Sequence, residues 1–129
     1  MAMRDQVWAQ RASARVSARQ PEPWGKKYGI QCLHLPAMIH QCGLCQALTF
    51  LEAKAKDEHL ALLDDLAAAL GFGTRAVLVD RARSSALTAY QQMSREALGC
   101  SNYFKRYAEA IIRVELGVDP VDPVEAVKY

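Results

Sequence analysis

The sequence predicts an all-α protein, a single compact bundle of about five helices, and three observations carry that prediction. Seven glycines and five prolines in 129 residues are too few for an all-β chain, which needs a turn about every ten residues. Alanine and leucine, both good helix formers, recur along most of the chain. Apolar residues return at helical period in every long segment. At this length one core forms and a second would lack material, so residues 1–129 read as one domain.

The first helix is expected over about 4–19. It is stopped by Gln20-Pro21-Glu22-Pro23, because a residue before proline is pushed out of the α region. A second helical region starts near Lys26 to Tyr28. Pro36 removes a ladder donor and crowds the preceding turn, which predicts a break at Leu35 and a restart with proline in the first helical position. From there Met38, Ile39, Cys42, Cys45 and Leu48 keep helical spacing. Asp57 is a candidate N-cap for a third helix whose stripe is Leu60, Leu63, Leu66, Ala67 and Leu70, ended by Gly71 in the left-handed conformation. Thr74 caps a fourth, with Leu78, Ala82, Ala86, Tyr90 and Met93 on one face. Ser94 caps a fifth, carrying Cys100, Tyr103, Tyr107, Ile111 and Val114, which Gly117 closes. Residues 117–129 read as a short extended tail.

Charge is unevenly placed. Residues 1–30 carry six basic and two acidic side chains, and the remainder ten basic and twelve acidic. A basic first helix on a nearly neutral body suits an anionic partner, or equally a solvated surface helix. Nothing approaches the roughly 18 apolar residues of a membrane span, and residues 1–20 lack the apolar centre of a secretory signal. A cytoplasmic protein with reduced thiols and no membrane contact is expected.

The usual catalytic constellations find little support. Cys42-Gly43-Leu44-Cys45 has the spacing of a redox pair, whose first thiolate needs the free N–H groups of a helix N-terminus. It falls six residues inside the helix that restarts at Pro36, where those groups are used, so a thiol oxidoreductase is the least favoured reading. His34, His40 and His59 with Cys32, Cys42, Cys45 and Cys100 do not form the two close pairs of a structural zinc site. No nucleophile elbow, paired zinc histidines or phosphate loop is present, and Gly71-Phe72-Gly73 reads as a turn. Asp64 and Asp65, flanked by Leu63 and Leu66, belong on the solvated face of the third helix. The expectation is no catalytic residue, no metal and no cofactor.

Binding residues are more legible. At 100° per residue, Arg4, Arg11, Arg15 and Arg19 fall in a sector of about 80° with Trp8 inside it. An arginine stripe with an indole suits phosphate contact and base stacking, while a tryptophan packed under its arginines, or a subunit interface, explains it equally well. Asn102, Arg106 and Arg113 share a second face, opposite Tyr103 and Tyr107. Glu109 stands at helical spacing from Lys105, Arg106 and Arg113 and is expected to pair with one of them, for about 0.3–0.5 kcal/mol.

Two segments resemble a known family. Tyr28, then Leu35-Pro36-Ala37-Met38-Ile39-His40-Gln41-Cys42-Gly43-Leu44 and Ala47-Leu48-Thr49-Phe50-Leu51, resemble a motif of the small α-helical subunit of the type III-B CRISPR effector, the RAMP-module (Cmr) complex. Tyr90, Glu96-Ala97-Leu98 and Tyr103-Phe104-Lys105-Arg106-Tyr107-Ala108-Glu109-Ala110 resemble its C-terminal motif. Cys42 stands where the family has asparagine, and Tyr103-Phe104 where it has Trp-Leu. The resemblance implies a non-catalytic subunit that stacks with copies of itself and with other subunits of the complex. Such a subunit helps form the groove for target RNA in a CRISPR RNA-guided antiviral particle, and another subunit cleaves. Lys105 and Arg106 fall on the Lys-Arg motif and become the first candidates for RNA phosphates; Arg113, Arg4, Arg11, Arg15, Arg19 and Trp8 follow from the helical wheels. A helical adaptor that binds only protein is the alternative.

Overall fold

Pro36 does not break its helix. In the computed structural model, which describes residues 3–115, α2 runs unbroken over Gly25–Cys42 with Pro36 inside it. A mid-helix proline costs about 3 kcal/mol. Here Tyr28, Cys32, Leu33, Leu35 and Ile39 on the same helix are all buried. A fully buried leucine or isoleucine contributes about 1.5–3 kcal/mol, so the packing of this central helix outweighs the lost hydrogen bond.

The break falls at Gly43 instead, whose φ of 85° and ψ of 162° suit glycine alone. It ends α2 and opens α3 (Leu44–Lys54), and so divides the expected second helical region in two.

The other helices are α1 (Arg4–Arg19), α4 (Asp57–Leu70), α5 (Arg75–Ser84) and α6 (Leu87–Tyr107), followed by a π-helical turn over Ala108–Ile112. Six α-helices and no strand make up the described residues, an all-α bundle as the composition predicts. α1 has the expected bounds. Gly71 ends α4 in the left-handed region, and the Thr74 hydroxyl accepts the Val77 N–H at 3.4 Å as the cap of α5. Asp57 is the first helical residue of α4 rather than its cap. Asp57 and Glu58 place negative charge in the first turn.

The fourth and fifth helices divide at Ser85-Ala86, not at Ser94. The Ser84 and Ser85 hydroxyls donate to the carbonyls of Asp80 and Arg81 one turn back, a local alternative that weakens a helix end. α6 then passes through Ser94 for 21 residues. Its π-helical extension ends on Arg113 in the left-handed conformation, before the expected closure at Gly117. Gly117 and the 117–129 tail lie outside the described residues.

α2 is the centre of the bundle, packed on α6, α3, α4 and the π-helical turn, while α1 lies across α6 and α4. The register of α1 on α6 is set by a close approach. A Cβ on Gly99 would stand 3.1 Å from the Trp8 indole, so the glycine admits that ring. Among the described residues no helix is long and apolar enough to cross a membrane.

Candidate nucleic-acid interface

The arginine stripe of α1 meets α4, and a buried carboxylate decides what it does. Asp65 is fully buried. Arg19 grips it with two bonds, Nε to Oδ2 at 3.0 Å and Nη2 to Oδ1 at 2.9 Å; Arg15 Nη1 adds a longer contact at 3.4 Å. The Tyr28 hydroxyl donates to Oδ2 at 2.7 Å. Arg11 Nη1 donates to the Ala69 carbonyl at 3.0 Å, on the same helix. The solvated face expected for Asp64 and Asp65 is thus half right. Asp64 is partly exposed and pairs with Arg75 at 2.9 Å, while Asp65 is a core residue. Leucine spacing cannot reveal this, because a carboxylate can be buried once its oxygens are filled by charged and hydroxyl donors.

These contacts shift the titration of their partners. The Asp65 hydrogen bond raises Arg19 above its ordinary value. Burial pushes the Tyr28 hydroxyl well up, with the negative charge of Asp65 adding to it. Burial also raises the Cys32 thiol beside it, and lifts the Cys100 thiol on α6 to about 12.

Trp8, at 6% exposure, is in the core, with the Arg4 guanidinium 4.6 Å above its ring. Of the three explanations for that indole, the structure shows packing beneath an arginine. Arg4 itself remains exposed at the outer end of α1.

The second stripe is differently placed. Lys105 is half-buried, Arg106 and Arg113 are exposed, and among the described residues none of the three takes part in an ion pair. The pairing expected with Glu109 is not formed, since the π-helical turn from Ala108 changes the angular spacing on which it depends. Arg106, Asn102 and Tyr103 line one cleft of about 330 Å³ with Gly99 of α6 and Asp5 of α1. Tyr103, expected on the opposite face, shares their cleft; at 100° per residue it stands only about 60° from Arg106, so the wheel itself allows this. Asp5 completes it from a helix about a hundred residues away in sequence, brought there by the packing of α1 on α6, of which the Trp8–Gly99 approach is one contact. A broader cleft of about 550 Å³ near the start of α4 includes Trp24, Lys27 and Lys56, but also Asp57 and Glu58.

The redox motif needs a different account from the one its spacing suggests. Gly43 places Cys45 in the first turn of α3, not mid-helix. Its N–H is nevertheless taken, donating to the Tyr90 hydroxyl at 3.0 Å, and its thiol donates to the Ala82 carbonyl at 3.2 Å. Cys42 is exposed at the end of α2, on the other side of Gly43 from the helix that carries Cys45. Among the described residues no three His, Cys, Asp or Glu side chains converge as metal ligands.

Residues 4–111, from the first turn of α1 into the π-helical turn, match the family model of CRISPR-associated protein Cas_Cmr5. The chain belongs to the Cmr5 family. It is 38% identical over 112 residues to the CRISPR system Cmr subunit Cmr5 of Thermus thermophilus, covering 87% of this chain and 98% of that one. The crystal structure of a CRISPR-associated Cmr5 family protein from the same organism superposes with a TM-score of 0.84 at 38% identity, over 87% of this chain and 99% of that one. The Cmr5 match takes in both motif segments and all six helices, so the core around α2, the Asp65 cluster and the cleft all lie within the Cmr5-like part of the chain.

Proposed function

We propose that this Cmr5-family chain is a non-catalytic subunit of a CRISPR RNA-guided type III-B (Cmr) effector. In this reading it stacks with copies of itself and the other subunits and forms part of the target-RNA groove in antiviral defence in the cytoplasm. Membership of the family supports the complex, and the relative of 38% identity is named a Cmr subunit. One observation carries the RNA contact: Lys105, Arg106 and Arg113 hold no carboxylate among the described residues, while Arg15 and Arg19 are spent on Asp65. A cation without an intramolecular partner can meet a phosphate without first breaking a bond. RNA contact is therefore assigned to Lys105, Arg106 and Arg113; Arg4, exposed but paired with Asp5 at 3.7 Å, joins them only by exchanging that weak surface pair for a phosphate. Arg11, Arg15, Arg19 and Trp8 support that surface from beneath.

The test is binding of single-stranded RNA across a salt series. Each phosphate contact adds about 0.7 to the slope of log affinity against log salt for a single strand. Lys105→Glu with Arg106→Glu should weaken binding and lower the slope by about 1.4. Wild-type binding with no salt dependence, or a double variant that binds RNA as well as wild type, would overturn the assignment. Copurification of the native chain with a guide RNA and larger subunits tests the complex itself. The pairing of Arg15 and Arg19 with Asp65 gives them a structural part, and predicts that their charge reversal changes folding before it changes RNA binding.

A further inference from the structure

The cleft between α1 and α6 has a donor and acceptor pattern that a bare phosphate does not need. Arg106 would suffice for phosphate, yet the opposite wall holds the carboxylate of Asp5, which repels one. Among the described residues the ion pair of Asp5 is with Arg4 at 3.7 Å, not with Arg106, so the cleft is bordered by both charges with no ion pair between them. Asn102 donates its Nδ2 to the Leu98 carbonyl at 3.2 Å, which leaves its Oδ1 as a second acceptor. Tyr103, half-buried, supplies an aromatic ring to the lining. A volume of about 330 Å³ lies at the small end for ligand clefts.

We propose that this cleft holds one unstacked guanine nucleotide of an RNA strand, a step that rests on the RNA reading above. Guanine presents two neighbouring donors, N1–H and N2–H, which a carboxylate accepts together, and two neighbouring acceptors, O6 and N7, which an arginine fork fills. Asp5 meets the first edge and Arg106 the second, with the base stacked on Tyr103. Adenine offers one partner to each wall, and uracil and cytosine have no N7. Arg4, beside Asp5, is placed to neutralise the adjoining phosphate.

The experiment uses the full chain at low salt and fluorescently labelled RNAs of about eight nucleotides, all uridine or with one central guanosine, adenosine or cytidine. Affinity is read by anisotropy. The guanosine oligomer should bind about tenfold more tightly than the all-uridine one. Asp5→Asn, a substitution at an exposed position, should bring that ratio to within about twofold of one. Tyr103→Ala should weaken the guanosine oligomer most, while Tyr103→Phe, which keeps the ring, should preserve the preference. Equal affinity for all four oligomers, or a preference untouched by Asp5→Asn, overturns the guanine cleft. If that equality comes with salt-dependent binding, the RNA reading stands; if no oligomer binds, both fall.

Discussion

The two arginine stripes of this chain look alike on a helical wheel and do opposite things. On α1, Arg15 and Arg19 converge on a fully buried carboxylate, and Arg11 binds a backbone carbonyl of the same facing helix. On α6 and its π-helical extension, Arg106 and Arg113 face solvent with no carboxylate partner among the described residues. The difference lies in the neighbour, not in the stripe. α1 packs across α4, where Asp65 waits at its contact line, whereas Arg106 of α6 borders an open cleft and forms no ion pair with the Asp5 that shares it. A cationic stripe therefore says that charge must be matched, and tertiary packing decides whether a protein carboxylate or an outside anion does the matching.

The largest effect should come from removing the anion that makes the first stripe structural. Asp65→Ala leaves Arg19 and the Tyr28 hydroxyl without a partner; loss of one member of a buried pair costs about 3–5 kcal/mol. Arg15 and Arg19 keep some solvent contact, at 45% and 25% side-chain exposure, so about 3 kcal/mol is expected, read as a lower urea midpoint at unchanged slope. Asp65→Asn should lose less, because its amide oxygen still accepts from Tyr28. A loss below about 0.5 kcal/mol for Asp65→Ala would erase the contrast between the two stripes, since it would make α1 as dispensable to folding as an ordinary surface.

Alkali probes the same contrast without mutation. The folded state raises Cys32 and Tyr28 beside Asp65, and Cys100 on α6, so in alkali the native chain holds protons that the unfolded chain has released. Their stabilisation is complete below the unfolded values of 9 for cysteine and 10 for tyrosine, and is lost as pH rises beyond them. Stability should fall from about pH 9 upward, by about 1.4 kcal/mol per pH unit for each group between its two values. Cys100→Ala should flatten the loss between pH 9 and about 12 by one group, while the steeper share that belongs to the Asp65 side remains. A flat profile from about pH 9 to 11 would show that none of the three is held protonated by the fold.

Much of this was legible in the residues. Helix content, the bounds of α1, the Thr74 cap, the Gly71 stop and the family motifs are all local signals, set by one to four neighbouring side chains. Three of the failures share one cause. Pro36 stays helical, Asp65 is buried and Asp5 joins a cleft because of contacts made by residues far away in sequence. Gly43 is the one local clue to the true break, since a glycine between two apolar runs is a natural stop. Proline is the louder breaker, and only the burial of α2 on both sides of Pro36 silences it.

The smallest effect on folding belongs to the second stripe, and its smallness is the informative part. Lys105→Glu with Arg106→Glu removes no intramolecular ion pair among the described residues, so the urea midpoint should shift by less than about 0.5 kcal/mol in stability. Arg19→Glu, half that change of charge, would place a carboxylate against Asp65 and should cost more than the pair on α6. If RNA binding falls in the α6 variant while its stability holds, the loss is one of contact and cannot be ascribed to unfolding. If instead the α6 variant unfolds as readily as Arg19→Glu, its cations have protein partners that solvent exposure conceals, and the two stripes are one device after all.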